Sequence, residues 1–286
     1  MINNPYTPYV ETLDATDEFR WLAIAFEKNG TYCNIGEETE EYRVFWKDVK
    51  DKCINGMTNS VGIKIPGTYF FYLNFCPILS QKDEDDKQRK RKTFNFPRFV
   101  DIDYEYFWMI EYCKYNEKSL IAVKGRRGGW SYKGSSVATH EYTFYKESKC
   151  IIGAFLGTYS QGTMNMSIGY LNHISTYTPF GHIRNPDLKD YFVSQHQKDI
   201  GGVKVWHGYK SSIECITFKD RPAVAAGKSA SILILDEAGL FPNITESWGF
   251  TEPLIKDGST YTGIAIIYVS AGDMDSGSKY FYDMFI

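Results

Sequence analysis

The chain has 286 residues, 43% of them hydrophobic, which is enough to bury one large α/β core or a core domain with a smaller appendage. Its formal net charge is -3, so any surface that binds a polyanion must be a local cluster of cations. The six scattered cysteines form no C-x-x-C pair, which argues against a zinc site or a disulfide framework and favours free thiols in a reducing compartment. Neither a membrane span nor a secretion signal is evident.

Much of the aromatic content lies before residue 120, as in GTYFFYLNF at 67–75 and DYEYFWMIEY at 103–112. These stretches suit a packed core better than platforms for stacking bases, because aromatic side chains dominate interiors. The charge run KDEDDKQRKRK at 82–92 is typical of a solvated loop or exposed helix, with a DNA-facing basic edge as the other interpretation. We therefore expect an aromatic-rich N-terminal segment over 1–94 that packs on a core over 95–286, with a helix after Pro97.

Five short apolar runs alternate with helical stretches from residue 119 onward. They are SLIAVKG, CIIGAF, IECITF, SILILDE and GIAIIYVS. Continuous apolar strands that alternate with helices predict an α/β fold with a mainly parallel sheet and helices on both faces. Residues 178–212 are expected to form an irregular insertion. Because ligands bind at the carboxyl ends of such strands, the segments KGRRGGWS, DEAG and SAGD should face one crevice.

The segment VKGRRGGWS is similar to a phosphate-binding loop that lacks the usual lysine. In the pattern G-x-x-x-x-G-K-[ST], Trp130 occupies the lysine position and Lys124 the position of the first glycine. Gly128 and Gly129 would let the backbone approach a phosphate, and the Ser131 hydroxyl, near the start of a predicted helix, could reach Mg²⁺.

The charge that the missing lysine would have supplied must come from a neighbouring cation. Lys124, Arg126 and Arg127 are the candidates, and Lys124 is in a position to fold back over the phosphates. The alternative is a surface turn that happens to be basic.

Two further segments carry candidate chemistry. In SILILDEAG, Asp236 is suited to hold Mg²⁺ and Glu237 to polarise an attacking water, although an acidic cap on a strand is a common alternative. In YVSAGD, Ser270 is suited to sense a γ-phosphate, and an ordinary strand-to-helix turn is the alternative.

The ordered set KGRRGGWS, ILILDEAG and YVSAG resembles the ATPase domain of the large terminase subunit of tailed bacteriophages, the motor that drives DNA into the capsid. The resemblance covers roughly residues 95–286, and the aromatic front segment is similar to that of terminases from Bacteroides-infecting, crAss-like phages. Members of this family often carry the loop lysine at the first position, which Lys124 matches. The resemblance implies a P-loop NTPase of the ASCE type with ATP and Mg²⁺ as cofactors.

The resemblance also assigns expected roles to residues. Asp236 and Ser131 would hold the metal, Glu237 would activate water, and cations of the loop would act on the phosphates. The phosphates would lie over Lys124, Gly125, Arg126, Arg127, Gly128, Gly129, Trp130 and Ser131, and coupling to movement would involve Ser270, Ala271 and Gly272. An arginine acting on the γ-phosphate could be Arg126, Arg127, Arg184 or Arg221. An adenine contact is expected around 94–106.

Partners follow from the same resemblance: double-stranded DNA, a portal protein, a small terminase subunit and a homo-oligomeric ring on the procapsid, in the host cytoplasm. No membrane partner is expected. Large terminases continue into a nuclease domain, which this sequence does not include, so we interpret it as the ATPase part. Two other functions stay open, a helicase-like remodelling ATPase and a nucleotide-binding scaffold without turnover, and the absent lysine at position 130 favours the scaffold.

Overall fold

The computed structural model describes residues 14–81, 92–125, 128–219, 221–242 and 244–270. The charge run predicted to be a solvated segment lies almost wholly outside these ranges. The chain divides into two compact units. The front unit comprises residues up to 108 together with Tyr170–Gly181, and the sheet unit comprises residues 109–169 and those from 182 onward. Within the described ranges, no helix combines the length and apolarity needed to cross a bilayer.

The front unit is built from short helices and two small hairpins. Its elements are α1 (Trp21–Asn29), α2 (Glu40–Asn55), β1 (Met57–Thr58), β2 (Lys64–Ile65), α3 (Gly67–Phe75), β3 (Ile78–Gln81), β4 (Lys92–Asn95), the first half of α4 (Asp101–Tyr115) and the end of α6 (Gly157–Tyr177). Strands β1 and β2 pair antiparallel, as do β3 and β4.

Helix α3 forms the centre of the front unit, since all nine of its residues are buried. Its one amide side chain, Asn74, accepts from the Ala23 amide at 3.1 Å and donates to the Phe19 carbonyl at 2.8 Å, so the polar group is satisfied. The Tyr32 hydroxyl lies 2.7 Å from Nε2 of His173, and burial lowers the pKa of that imidazole to about 4. The GTYFFYLNF stretch is therefore core, as expected from its composition.

The sheet unit contains a seven-stranded sheet, and five of its strands are the apolar runs identified in the sequence. Its elements are β5 (Leu120–Lys124), α5 (Trp130–Phe144), β6 (Lys149–Ala154), β7 (Arg184–Asp187), β8 (Tyr191–Ser194), β9 (His196–Ile200), β10 (Val203–His207), β11 (Ser212–Thr217), β12 (Ile232–Asp236), α7 (Ile244–Thr251), β13 (Lys256–Asp257), β14 (Thr260–Tyr261) and β15 (Ile264–Ser270). The strand order is β5-β15-β12-β6-β11-β8-β7, and the first five strands are parallel. The predicted α/β fold with a mainly parallel sheet is confirmed.

Helices cover both faces of this sheet. On one face, α5 packs so closely on β15 that a Cβ at Gly134 would lie 2.9 Å from the ring of Tyr268. On the other face, Leu233 of β12 and Ile267 of β15 share a buried cluster with Ile244 of α7. Because successive residues of a strand point to opposite faces, strands covered on both sides must be apolar throughout, as the ILIL and IAIIYV runs are.

The expectation of an irregular insertion over 178–212 is wrong, because this stretch contains four strands. Strand β8 pairs antiparallel with β11, and β7 with β8, so both extend the sheet. Strands β9 and β10 form a separate hairpin. Its turn is the pair Gly201-Gly202, with φ of 62° and 84°, and a two-residue turn with both φ positive matches the twist of a hairpin. Strands β7 and β9, with the sequences RNPD and HQKDI, lack the apolar run that identified the core strands.

Replacing Gly134 by alanine tests the close packing of α5 on the sheet. The added methyl must displace the ring of Tyr268, so we expect Gly134→Ala to lower the free energy of unfolding by about 1–3 kcal/mol. Gly169 is the matched control in α6, since a Cβ there would meet nothing within 4 Å. Gly169→Ala should be neutral or raise the free energy by up to about 1 kcal/mol. Equal effects in urea denaturation would contradict this packing.

Candidate active site

The carboxyl ends of three neighbouring strands bring the candidate residues together. Strand β15 lies between β5 and β12, and the register pairs Ser270 with Lys124 at their ends. Asp236 is the last residue of β12, and Glu237 follows it directly. Since the ends of parallel strands meet at one edge of a sheet, three segments distant in sequence converge there.

Asp236 is the most constrained group of the site. The side chain is 2% exposed, and four donors fix its carboxylate. Oδ1 accepts from Lys124 Nζ at 2.8 Å and from the Glu237 amide at 3.0 Å. Oδ2 accepts from Ser131 Oγ at 2.7 Å and from Thr163 Oγ1 at 2.9 Å. A carboxylate with both oxygens doubly engaged has no freedom to rotate.

Glu237 has a left-handed backbone, with φ of 53° and ψ of 44°. This conformation costs a non-glycine residue about 1–2 kcal/mol. A regular strand would point Glu237 and Asp236 to opposite faces, and the left-handed turn instead lets both carboxylates reach one cation. Glu237 Oε1 lies 3.0 Å from Lys124 Nζ, and Oε2 accepts a hydrogen bond from the Ser270 hydroxyl.

Lys124 is the cation that joins the two acids. Its residue is 5% exposed, and its ammonium lies 5.3 Å from the centroid of the Tyr268 ring. An ammonium and a carboxylate removed from water are costly unless they are paired and hydrogen-bonded. Lys124 and Asp236 therefore depend on each other.

The loop between β5 and α5 is built for a backbone that approaches a ligand closely. Gly129 has a φ of 69° and forms the N-cap of α5, so no capping side chain covers the positive end of the helix dipole. A Cβ at Gly128 would lie 2.6 Å from Nε1 of the Trp130 indole. Gly125 and Gly129 have nothing within 4 Å of such a Cβ, which leaves space beside them.

Trp130, at the lysine position of the loop pattern, packs against two neighbouring side chains. Its ring centroid lies 4.1 Å from Lys133 Nζ and 6.0 Å from the Tyr268 ring centroid. Lys133 is 2% exposed. A buried ammonium over an indole face is a cation–π contact, and it places a second cation within the first turn of α5.

The structure brings together five of the predicted site residues, and these are Lys124, Ser131, Asp236, Glu237 and Ser270. Arg126, Arg127, Ala271 and Gly272 lie outside the described residues. Arg184 belongs to β7 at the opposite edge of the sheet from β5, about 29 Å away at ~4.8 Å per strand, so within one chain it does not reach this site. Arg221 is exposed. An adenine contact around 94–106 stays a prediction.

Sequence analysis missed Thr163 and Lys133. Thr163 lies inside α6, where a single threonine carries no signal, and it reaches Asp236 only because α6 packs on α5. That packing is visible in the Ser135 hydroxyl, which donates to the Thr163 carbonyl at 2.8 Å. Lys133 could have been noticed as a cation two residues after Ser131.

The donor set fits a magnesium ion with a triphosphate. Mg²⁺ prefers oxygen ligands and is usually held by one or two carboxylates together with substrate phosphates. Asp236 Oδ2 and the Ser131 hydroxyl offer such oxygens 2.7 Å apart. The carboxylates of Asp236 and Glu237 already hold one cation, the Lys124 ammonium. No group of three or more His, Cys, Asp and Glu side chains suited to a metal occurs among the described residues.

Strand β15 lies between β5 and β12, so the strand that leads into the loop and the strand that ends in the two acids are not neighbours in the sheet.

The chain matches no family model and no curated protein. Solved structures of similar fold include the ATPase domain of a Thermus phage large terminase, at 18% identity and a TM-score of 0.46, covering 59% of this chain and 64% of that one. The large terminase of bacteriophage HK97 is similar at 11% identity and a TM-score of 0.48, over 76% of this chain and 40% of that one. A large terminase from a thermophilic bacteriophage in complex with ADP has 12% identity and a TM-score of 0.35, over 53% and 33% of the two chains.

A double-mutant cycle tests the buried contact between Lys124 and Asp236. Lys124→Met leaves a buried carboxylate without its cation and should lower the free energy of unfolding by about 3–5 kcal/mol. Asp236→Asn in the same chain should restore part of that loss, with a coupling energy of about 1–3 kcal/mol. The partly exposed pair Lys228 and Glu214, 2.7 Å apart, is the matched control, with an expected coupling below about 1 kcal/mol. Additive losses at Lys124 and Asp236 would show that the contact is absent in solution.

Proposed function

We propose that this chain is a Mg²⁺-dependent ATPase of the large-terminase type, which drives double-stranded DNA into a viral procapsid. The observation that carries the proposal is the meeting of Lys124, Asp236 and Glu237 within 3.0 Å beside a glycine-rich loop and a helix N-terminus. A loop that provides backbone donors and a cation, next to two carboxylates, is the equipment that phosphoryl transfer requires. The order of the motifs, with a lysine at the first loop position, favours the terminase type.

In this proposal the protein residues position the substrate and handle the protons. Backbone amides at the start of α5 and the Lys124 ammonium bind the phosphates, and Asp236 with Ser131 would hold Mg²⁺, which when bound supplies charge neutralisation at the phosphate oxygens. Glu237 orients a water whose oxygen forms the new bond to the γ-phosphorus. The bond from that phosphorus to the bridging oxygen breaks, ADP leaves, and the water's proton passes to the Glu237 carboxylate or to solvent.

Lys124 has a further part in the proposed cycle. Without ligand, its ammonium neutralises Asp236 and Glu237. A bound triphosphate carries more negative charge than the two carboxylates and would attract the Lys124 ammonium. Once the ammonium has moved from Glu237 to the phosphates, the Glu237 carboxylate would be free to accept a proton. The Ser270 hydroxyl donates a hydrogen bond to Glu237 Oε2. Through this contact, a change at Glu237 during hydrolysis would be transmitted to the segment that follows β15. A ring of subunits, a portal protein and a small terminase subunit belong to the same proposal.

Substitutions at Glu237 and Lys124 test the proposed enzyme. Glu237→Gln keeps the size of the side chain and removes the base, so we expect kcat for ATP hydrolysis to fall by about 10²–10⁴-fold while nucleotide binding persists. Lys124→Ala should both raise KM and lower kcat, and Lys228→Ala serves as the surface control. The readout is phosphate release, with binding of a fluorescent ATP analogue measured in parallel. Wild-type protein that binds ATP without turnover would support a scaffold and end the enzyme proposal.

Thr163 is expected to act through Asp236. Thr163→Val keeps the shape and removes the hydroxyl that donates to Oδ2 at 2.9 Å, so the carboxylate loses one of its restraints. Outer contacts of this kind typically change metal affinity or activity by about 10–100-fold. We expect the Mg²⁺ concentration for half-maximal hydrolysis to rise within that range, and Thr163→Ser to restore it. An unchanged magnesium dependence in Thr163→Val would refute this role.

A further inference from the structure

The hairpin of β9 and β10, here called the ribbon, projects from the sheet unit. All residues from Gln197 to Trp206 are exposed, so both faces of the ribbon are open to solvent. The five cross-strand pairs give it a length of roughly 17 Å. A two-stranded ribbon that packs on nothing gains little stability of its own. Its side chains therefore contribute little to the core, and their chemistry points to a partner.

The cations of the ribbon lie on opposite faces. Cross-strand partners share a face, and the register pairs Lys198 with Val205 and Lys204 with Asp199. The two pairs are adjacent along the ribbon, and successive residues of a strand point to opposite faces. Lys198 therefore extends from one face and Lys204 from the other. The Asp199 carboxylate is engaged in the turn, where Oδ1 accepts from the Gly202 amide at 2.8 Å. The ribbon, residues 196–207, contains two lysines and one aspartate, in a chain of net charge -3.

A groove between two phosphate walls fits this distribution of charge. A flat anionic surface could engage only one of the two lysines, whereas a ribbon inside a groove presents one face to each wall. The major groove of B-DNA is about 12 Å wide and admits a two-stranded ribbon. The turn at Gly201 and Gly202 carries no side chains, so the tip can approach the base edges. Ile200 and Val203, 52% and 62% exposed, flank this turn.

We propose that the ribbon inserts into a groove of double-stranded DNA, with Lys198 and Lys204 on phosphates of opposite strands. This inference rests on the proposed function for its substrate, and it assigns the DNA contact to a segment that contains no residue of the active site. Such contacts are independent of sequence, as continuous translocation along a genome requires. A second copy of this chain, attracted by the apolar side chains Ile200, Val203 and Val205, is the competing occupant.

The salt dependence of DNA binding tests the ribbon. We would compare wild type, the double variant Lys198→Ala and Lys204→Ala, and a control double variant at the exposed residues Lys47→Ala and Lys118→Ala. The probe is a labelled 30-base-pair duplex of mixed sequence, followed by anisotropy from low to moderate salt. Two lost phosphate contacts should make the slope of log K against log salt shallower by about 1.8 and weaken binding near 0.1 M salt by at least about tenfold. The control should behave as wild type.

ATP hydrolysis without DNA, measured on the same three proteins, separates this inference from the proposed function. Unchanged hydrolysis together with the shallower slope supports the ribbon contact. Unchanged hydrolysis with the same slope and affinity in the ribbon variant overturns the ribbon contact and leaves the ATPase intact. If the ribbon variant binds DNA as wild type does but shows altered self-association in sedimentation, the ribbon contacts a second copy of the chain. That result would also overturn the contact between the ribbon and DNA. Absence of hydrolysis in the wild type counts against the proposed function itself.

Discussion

A buried ammonium held between two carboxylates constrains the sheet unit more than any other interaction. Lys124 and Asp236 are each too costly to bury alone, so the fold must bring the two together, and the partly exposed Glu237 joins them at 3.0 Å from the ammonium. Strand order achieves this, because β5 and β12 end on either side of β15. A different order of these strands would separate Lys124 from Asp236 and leave each charge buried without a partner. The pairing of these two charges therefore requires this strand order.

The surroundings of this group are arranged before any ligand arrives. Thr163, Ser131 and the Glu237 amide hold Asp236 in one orientation, and Ser270 holds Glu237. Under the proposed function, these fixed dipoles would need no reorganisation when charge develops during hydrolysis. The left-handed backbone at Glu237 is the local cost of that arrangement, and the stable β12 strand before it can sustain the strain.

The parts of the fold that depend on local pattern were predictable, and those that depend on long-range packing were not. The apolar runs identify the core strands because burial on both faces leaves no polar position, and the acids of Asp236 and Glu237 stand out at the end of such a run. Thr163 could not be identified, since its contact exists only once α6 has docked on α5. Strands β7 and β9 could not be identified, because polar and largely exposed strands lack the hydrophobic pattern on which prediction relies.

Trp130 gives the loop a property that a lysine in its place would lack. The indole begins α5, directly after Gly129, and its ring lies 6.0 Å from the Tyr268 ring and 4.1 Å from Lys133 Nζ. An indole responds in intensity and wavelength to nearby charge and water, and a tyrosine at this separation transfers excitation to it efficiently. The protein thus contains an intrinsic fluorophore at the start of α5, and under the proposed function it would report the binding of a nucleotide without any attached dye.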